Sequence, residues 1–241
     1  DLPSAEMIKY ASNAFMATKI SFINEIANIC ERVGADVGTV ASGMGYDPRI
    51  GAGFLRAGLG YGGSCFPKDT CSLVNIAGNV NYDFKLLKSV VEINQMQRLL
   101  PIERLLYWFG DLSGKTIVLL GLAFKPGTDD TRESPAFELA SRLKGMGAEI
   151  KATDPIVHRL PAGQDIITVI PDPYDALRGA DAAILITEWE QFIKLDWNYA
   201  ASIMRSQYVF DGRNVLNRRE LMNAGMTVAN FGSNSPNLLV R

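Results

Sequence analysis

The residues with the clearest potential for chemistry lie in one run, Gly60-Tyr61-Gly62-Gly63-Ser64-Cys65-Phe66-Pro67-Lys68-Asp69. Its closely spaced glycines let the backbone turn tightly and approach a ligand. Pro67 suits the first turn of a helix, so the thiol of Cys65 is predicted at a helix N-terminus, where the helix macrodipole favours an anion. Most free cysteines are small buried hydrophobic residues. With Lys68 and Asp69 close by, Cys65 is nevertheless predicted to be a nucleophile.

The composition of the chain excludes several classes of protein. The 241 residues are 47% hydrophobic and 21% charged, and the formal net charge of −2 gives no electrostatic reason to expect nucleic acid or an anionic membrane as a partner. No apolar run is long enough to span a bilayer, and no signal peptide is visible. Three cysteines make no disulfide framework, which favours a reducing, cytoplasmic environment. Because His158 is the single histidine, neither a metal site nor a cysteine–histidine hydrolase is expected.

The first part of the chain has helical periodicity. A long helix is predicted from a cap at Ser4 to a stop at Gly34. Its apolar stripe recurs at seven-residue intervals, at Ile8, Phe15, Phe22 and Ile29. Such a stripe predicts packing in the core or against another subunit. Lys9 and Asn13 neighbour each other on a different face, and this pair alone has little functional weight.

Further helical patterns follow. Asp36 is predicted to cap a second helix that ends at Gly45. Cys71 lies in the helix after the glycine run and is predicted to be a core residue. A helical pattern then extends over residues 83–108, and Pro101 is predicted to kink or divide it.

The pattern changes near residue 110, where a different domain is predicted to begin. Apolar runs that read as strands occupy residues 115–120, 149–153, 182–186, 208–210 and 226–229. They alternate with helical patterns, which predicts βαβ units and a mostly parallel, doubly wound sheet. The predicted fold class is therefore α/β, with a helical domain over residues 1–110 and a Rossmann-like domain over 111–241. The polar tail after Gly232 is predicted to be frayed.

The loop after the first predicted strand, residues 121–135, is a second candidate site. Ligands of parallel sheets bind beyond the carboxyl ends of the strands. Lys125 and Arg132 lie in this loop and a helix start follows it, an arrangement that suits phosphate. The GxGxxG dinucleotide fingerprint is absent from this loop and from the rest of the chain.

Five segments together resemble the UDP-glucose/GDP-mannose dehydrogenase family. They are EMIKYASNAF (6–15), GYGGSCFPKD (60–69), GLAFKPGTDDTRESP (121–135), TEW (187–189) and FDGRN (210–214). The last two are similar to elements of the members that act on UDP-glucose, which favours UDP-glucose over GDP-mannose as the substrate. The resemblance implies a helical dimerisation domain followed by a Rossmann-like UDP-sugar-binding domain. It implies oxidation of UDP-glucose to UDP-glucuronate, a product used in polysaccharide biosynthesis.

The resemblance also implies roles for individual residues. The catalytic roles fall to Cys65, Lys9, Asn13 and Asp69. Substrate contacts fall to Arg49, Phe54, Leu55, Arg56, Tyr61, Gly62, Phe124, Lys125 and Arg213, and cofactor contacts to Lys68 and Arg132. Cys65 would hold the substrate as a thiohemiacetal and then as a thioester between two NAD-dependent oxidations. Lys9 and Asn13 would stabilise the oxyanion, and Asp69 would order or deprotonate water.

The implied partners are NAD, UDP-glucose and a second copy of the chain. Arg49 is expected to reach the substrate pocket of the neighbouring protomer of a homodimer. Members of the family begin with a Rossmann domain that carries GxGxxG, and this chain is expected to lack that domain. We therefore expect weak NAD binding and little turnover from the chain alone. Two alternatives stay open: a GDP-mannose-oxidising member, and a non-catalytic UDP-sugar-binding or dimerisation module.

Overall fold

A computed structural model describes residues 1–233 and divides them into two compact units. The first unit is Asp1–Arg98, joined by the described residues from Phe231 on, and the second is Leu99–Asn230. The polar tail that the sequence predicts to be frayed lies mostly outside the described residues.

The helices of the first unit are α1 (Leu2–Val33), α2 (Val37–Gly45), α3 (Phe66–Asn79) and α4 (Lys85–Gln97). The predicted cap of α1 at Ser4 is wrong, because the Asp1 carboxylate accepts the backbone N–H of Ser4 at 2.8 Å and the helix begins earlier. Gly34 ends α1 as predicted, with a left-handed φ of 77° that favours glycine. Asp36 caps α2, also as predicted.

The core of the first unit lies between α1, α3 and α4. It contains Ala14, Ala17, Tyr61, Leu73, Leu87 and Val90. The apolar stripe of α1 does not enter this core, since Ile8 and Phe15 are 68% and 67% exposed. Of the two locations expected for the stripe, the core of the chain is therefore excluded for these residues. Small residues on a neighbouring face of α1, such as Ala14 and Ala17, make the close helix contacts instead, and packing against another subunit stays a prediction.

Two smaller predictions for the helices have different outcomes. Cys71 is exposed on α3, so its predicted core position is wrong, and the buried face of that helix is formed by residues such as Leu73 and Ala77. Pro101 does divide the long helical pattern, because α4 ends at Gln97 and a new helix follows. The proline lies in the first turn of that helix, where a missing N–H costs no hydrogen bond.

The second unit is built on a parallel sheet. Its elements are α5 (Leu100–Phe109), β1 (Thr116–Leu120), α6 (Pro135–Gly145), β2 (Glu149–Thr153), β3 (Ile167–Val169), α7 (Pro173–Leu177), β4 (Ala182–Leu185), α8 (Glu190–Ile193), α9 (Trp197–Ile203), β5 (Tyr208–Asp211), α10 (Arg218–Asn223) and β6 (Thr227–Asn230). Six parallel strands lie in the order β3-β2-β1-β4-β5-β6, which confirms the predicted doubly wound α/β fold. The short strand β3 was not predicted.

The strand order of this sheet reverses at β1, which pairs directly with β4. Both strands are buried along their whole length, as expected where helices cover both faces. In sheets of this kind the crevice beyond the carboxyl ends of the strands at the reversal is the usual ligand site. The fold therefore brings the loops that follow β1 and β4 to one place.

Candidate active site

Cys65 is the N-cap residue of α3, and its thiol is exposed. Pro67 lies in the first turn of this 14-residue helix, and the Asp69 N–H donates to the Cys65 carbonyl at 2.8 Å. The Ser64 hydroxyl lies 3.8 Å from the Cys65 sulfur. The structure thus places a solvent-accessible thiol at the positive end of a helix, the position that the sequence indicates.

Asp69 is fully buried and gathers three of the predicted residues around its carboxylate. Asn13 Nδ2 donates to Asp69 Oδ2 at 2.6 Å, and Lys9 Nζ lies 3.9 Å from the same oxygen. Lys68 Nζ lies 3.9 Å from Oδ1. Both lysines are mostly exposed, so water and salt screen these two ion pairs. Oδ1 is buried and accepts no hydrogen bond from the described residues, which leaves it as an acceptor for water.

Buried polar side chains hold the glycine-rich loop that leads to Cys65. Asn94 accepts the Tyr61 N–H at 2.8 Å and donates to the Tyr61 carbonyl at 3.1 Å. Arg98 Nη2 donates to the same carbonyl at 2.6 Å. Asn24 accepts the Gly58 N–H at 2.9 Å. Sequence reasoning missed these residues, and the one available signal was the presence of polar residues on otherwise amphipathic helices.

The conformation of this loop requires glycine at position 60. Gly60 has a φ of 82°, and a Cβ built there would collide with the side-chain oxygen of Asn94. The next residue, Tyr61, is buried, and burial raises the pKa of its hydroxyl. Its ring packs edge-on against Phe66 at 5.9 Å between centroids, and Phe54 lies 6.1 Å from Phe66 on a tilted approach.

The other residues implied for the substrate in this unit are spread over the preceding loop. Leu55 is buried, Gly62 is half-buried and Arg56 is exposed. The exposed Arg49 guanidinium forms a two-pronged pair with Asp47, at 3.0 Å (Nε to Oδ1) and 2.6 Å (Nη2 to Oδ2). This pairing holds the pKa of the Asp47 carboxyl below its usual value.

The turn that carries Arg49 is also tied to α1. Lys19 Nζ on α1 donates to the carbonyls of Ile50 and Gly51 at 2.9 and 3.1 Å. Arg49 is therefore presented from an anchored turn, and its expected role in a partner's pocket stays a prediction.

In the second unit, the loop after β1 carries two exposed cations. Lys125 Nζ lies 5.4 Å from the centre of the Phe124 ring. Arg132 forms a two-pronged pair with Asp130, at 2.9 Å (Nε to Oδ1) and 2.7 Å (Nη2 to Oδ2), which holds the pKa of the Asp130 carboxyl below its usual value. Ser134 caps α6 directly afterwards. Cations beside a helix start suit an anionic ligand.

The loops after β4 and β5 meet at Arg213. Its Nε donates to the Ile186 carbonyl at 2.6 Å and lies 3.4 Å from Glu188 Oε2. Asp211, at the end of β5, accepts the N–H of Arg213 at 3.0 Å and thereby shapes the turn. Burial raises the pKa of the Asp211 carboxyl, although backbone N–H donors oppose the shift. The TEW and FDGRN elements are therefore neighbours in space.

The second unit is not arranged as a dinucleotide site. Asp154 directly follows β2, where dinucleotide-binding folds place the acid that binds ribose. Here its carboxylate is buried and accepts the backbone N–H groups of Leu122 and Ala123. The two cations expected to contact the cofactor, Lys68 and Arg132, are both largely exposed, and each is paired with a neighbouring aspartate.

Residues 1–233 contain neither a metal-binding cluster nor a membrane-spanning helix. Nowhere in this part of the chain do three or more His, Cys, Asp or Glu side chains come close enough to hold a metal ion. No helix within the same range is both long and apolar enough to cross a membrane.

Two family models match the chain. The central domain of the UDP-glucose/GDP-mannose dehydrogenase family matches residues 3–96, and the UDP binding domain of the same family matches residues 118–218. The chain therefore belongs to the UDP-glucose/GDP-mannose dehydrogenase family.

Individual relatives are similar over nearly the whole chain. UDP-glucose 6-dehydrogenase YwqF of Bacillus subtilis is 50% identical over 237 residues, which cover 96% of this chain and 53% of the relative. TuaD of the same organism, also named UDP-glucose 6-dehydrogenase, is 46% identical and is covered to 51%. The solved structure of a UDP-glucose dehydrogenase from Pyrobaculum islandicum is 36% identical, with a TM-score of 0.86 over 96% of this chain and 51% of that one. The chain thus spans about half the length of the curated relatives it matches.

Proposed function

We propose that this chain carries the catalytic-cysteine and UDP-sugar-binding parts of an NAD-dependent dehydrogenase that oxidises UDP-glucose to UDP-glucuronate. The observation that carries the proposal is the cluster of Asn13, Lys9 and Lys68 around buried Asp69, one helical turn from exposed Cys65. A non-catalytic binding module would have no need of this cluster. The names of the similar relatives favour UDP-glucose over GDP-mannose.

The proposed chemistry removes a hydride from C6 of the sugar twice. In the first oxidation the C6 hydroxyl also loses its proton, which passes to water, and the C–O bond becomes the C=O bond of the aldehyde. NAD, when bound, accepts these hydrides, and Lys68 and Arg132 would hold its phosphates. After the first oxidation the Cys65 thiolate adds to the aldehyde carbon, forms a C–S bond and leaves the negative charge on the former carbonyl oxygen. The second hydride loss converts this thiohemiacetal to a thioester.

The residues around Asp69 suit the remaining steps. Asn13 has a second Nδ2 hydrogen beyond the one given to Asp69, and Lys9 Nζ is close by, so both can donate to the oxyanion. Donors of this kind are each worth about 3 kcal/mol in the transition state. Asp69 Oδ1 can order a water molecule that attacks the thioester carbon. The C–S bond then breaks, Cys65 leaves as the thiolate, and Asp69 takes up a proton of the water.

The substrate assignment is tested by calorimetry on this chain as it stands. We expect UDP-glucose to bind in preference to GDP-mannose and UDP-N-acetylglucosamine, with UDP alone retaining part of the affinity. Preference for GDP-mannose would move the assignment to that substrate, and no binding of any nucleotide sugar would contradict the proposal.

The role of Cys65 is tested in the whole dehydrogenase that contains an NAD-binding domain. Cys65→Ser is expected to permit the first oxidation and to stall before the thioester, so that it no longer yields the normal two NADH per UDP-glucose. Cys71→Ser is the matched control, because Cys71 is also exposed and lies on the same helix. A normal NADH yield from Cys65→Ser would remove Cys65 from its role.

The chain is also proposed to form a homodimer through its first unit. The exposed stripe of α1 adjoins an apolar groove of about 470 Å³, whose lining includes Met7, Phe15, Tyr82 and Leu86. Burial of such a surface favours association. Phe15→Lys is expected to give monomers in light scattering after size-exclusion chromatography. Met222→Lys changes an exposed residue of the second unit and should leave a dimer; a dimeric Phe15→Lys protein would contradict this interface.

A further inference from the structure

We propose that Asp154 and Trp189 are positioning residues of the nucleotide-sugar site, an inference that rests on the proposed function of the second unit. Asp154 directly follows β2, and Trp189 follows β4. Neither is among the residues expected to contact the substrate. Their role is to hold the two loops that border the crevice at the reversal of strand order.

The bridge between the loops is a single carboxylate oxygen. Asp154 Oδ2 accepts the backbone N–H of Leu122 at 2.7 Å and that of Ala123 at 3.1 Å, both in the loop after β1. The same oxygen accepts the indole N–H of Trp189 at 3.2 Å, from the loop after β4. The side chain is 1% exposed, so solvent does not compete for these hydrogen bonds.

The second oxygen anchors the carboxylate itself. Oδ1 accepts the backbone N–H groups of Ile156 and Val157, both at 2.9 Å, in the loop after β2. Five N–H donors therefore converge on one buried carboxylate. A carboxylate is an acceptor at both oxygens, whereas the amide of asparagine has one acceptor oxygen and would turn an NH₂ group towards N–H donors.

A second contact joins the loop after β1 to the loop after β4. The Thr187 hydroxyl donates to the Ala123 carbonyl at 2.5 Å. Gly121 approaches Thr187 so closely that a Cβ on Gly121 would collide with it. Since Phe124 follows Ala123 directly, a shift of this backbone moves Phe124 and Lys125. The Asp154–Trp189 bridge therefore sets the position of residues expected to contact the substrate.

The first readout is UDP binding by calorimetry, with the fold of each variant checked by circular dichroism. Trp189→Phe keeps an aromatic ring and loses only the indole N–H, and we expect it to weaken UDP binding about fivefold. Asp154→Asn disturbs more donors and should weaken it about tenfold or more. Trp197→Phe is the matched control, because Trp197 Nε1 has no hydrogen-bond partner in the described part of the chain. It should bind UDP within about twofold of the wild type.

The second readout is the indole N–H resonance of each tryptophan, which reports the bridge without reference to activity. We expect the Trp189 resonance, assigned from its loss in Trp189→Phe, to move in Asp154→Asn, while that of Trp197 stays in place. An unmoved Trp189 resonance would overturn the bridge.

The binding outcomes separate this inference from the proposed function. A wild-type chain that does not bind UDP would overturn both. Wild-type binding of UDP, with the affinity unchanged in both Asp154→Asn and Trp189→Phe, would overturn the positioning role alone.

Discussion

The two units hold their candidate ligand-facing loops with different side-chain chemistry. In the first unit Asn94 both donates to and accepts from a single residue, Tyr61, in the way that a neighbouring strand would. In the second unit Asp154 and Asp211 act as acceptors, and each collects N–H groups from a turn that follows a strand. An amide suits a loop that presents one N–H and one carbonyl, whereas a carboxylate suits a turn whose N–H groups converge.

The side chains that hold the loops of the two units also differ in charge. The buried amides of Asn24 and Asn94 add no charge to the loop before Cys65, and the charged group that holds this loop is the Arg98 guanidinium, a cation. The buried carboxylates of the second unit place negative charge near loops that are proposed to bind phosphate. That arrangement is stable because N–H donors surround each carboxylate, and the exposed cations Lys125 and Arg132 lie further along the chain.

The largest expected effect is at the close approach between the loops after β1 and β4. Gly121→Ala places a Cβ against the Thr187 side chain and backbone at a φ of 106°, so neither the strain nor the collision can be relieved by a side-chain rotation. We expect a loss of about 4 kcal/mol in the free energy of unfolding, measured by urea denaturation. Gly127→Ala is the control, because φ is 78° but the space is open, and it should cost about 1 kcal/mol. Equal losses for the two variants would contradict the close packing of these loops.

The second prediction tests the amide of the first unit. Asn94→Ala leaves the buried Tyr61 N–H without its acceptor and opens a small cavity, so a loss of about 3 kcal/mol in the free energy of unfolding is expected. The loop that leads to Cys65 should loosen as well, which is measured as a changed rate of alkylation of the thiol. Gln95→Ala removes an exposed amide from the next position of α4 and should change the stability by less than about 0.5 kcal/mol. If Asn94→Ala were as stable as this control, the hydrogen bonds of Asn94 would not stabilise the loop, and Arg98 and Asn24 would suffice to hold it.

The sequence predicted those features of the molecule that depend on local signals. Five of the six strands of the sheet appear as runs between turn residues, and β1 is an example that needs no distant partner to be recognised. The three-residue strand β3 is too short to produce such a pattern. Cys65 was placed at a helix start because glycine and proline act on the backbone next to them.

The features that sequence reasoning missed depend on contacts between distant residues. Asn94 and Tyr61 are separated by 33 positions, and Asp154 and Leu122 by 32, and in each pair one partner is a backbone group that carries no sequence signal. The stripe on α1 shows a related limit, since periodicity identifies an apolar face but not what covers it. The nucleophilic role of Cys65 and the phosphate-binding role of Lys125 and Arg132 were predicted from their positions, and the other expected roles came from resemblance.

The third prediction compares the buried carboxyl of Asp211 with the uncharged amide of the variant Asp211→Asn. Because burial raises the pKa of Asp211 above the ordinary 3.8, the folded state binds a proton more tightly than the unfolded state does. Its contribution to stability is therefore fully present below pH 3.8 and is lost as the pH rises through the folded pKa. We expect the free energy of unfolding of the wild type, relative to Asp211→Asn, to fall as the pH rises above 3.8. A difference that grows with pH in urea denaturation would contradict this direction.

The smallest expected effect has the opposite sign and concerns the exposed pair in the loop after β1. The hydrogen bonds from Arg132 lower the pKa of Asp130 below 3.8, so the contribution of this carboxylate is present above pH 3.8 and is lost as the pH falls through the folded pKa. Arg132 is largely exposed, and Asp130→Asn should therefore change the free energy of unfolding at neutral pH by less than about 0.5 kcal/mol.

A carboxyl-carbon NMR titration measures the two carboxyls more directly. In it the pKa of Asp130 should lie below 3.8 and that of Asp211 above 3.8. Arg132→Gln is expected to return Asp130 towards 3.8 and to leave Asp211 unchanged, because the two carboxyls owe their shifts to different causes, a neighbouring cation in one case and burial in the other. If Asp130 and Asp211 had the same pKa, the neighbouring cation and the burial would not shift the two carboxyls in opposite directions, and the prediction would be wrong.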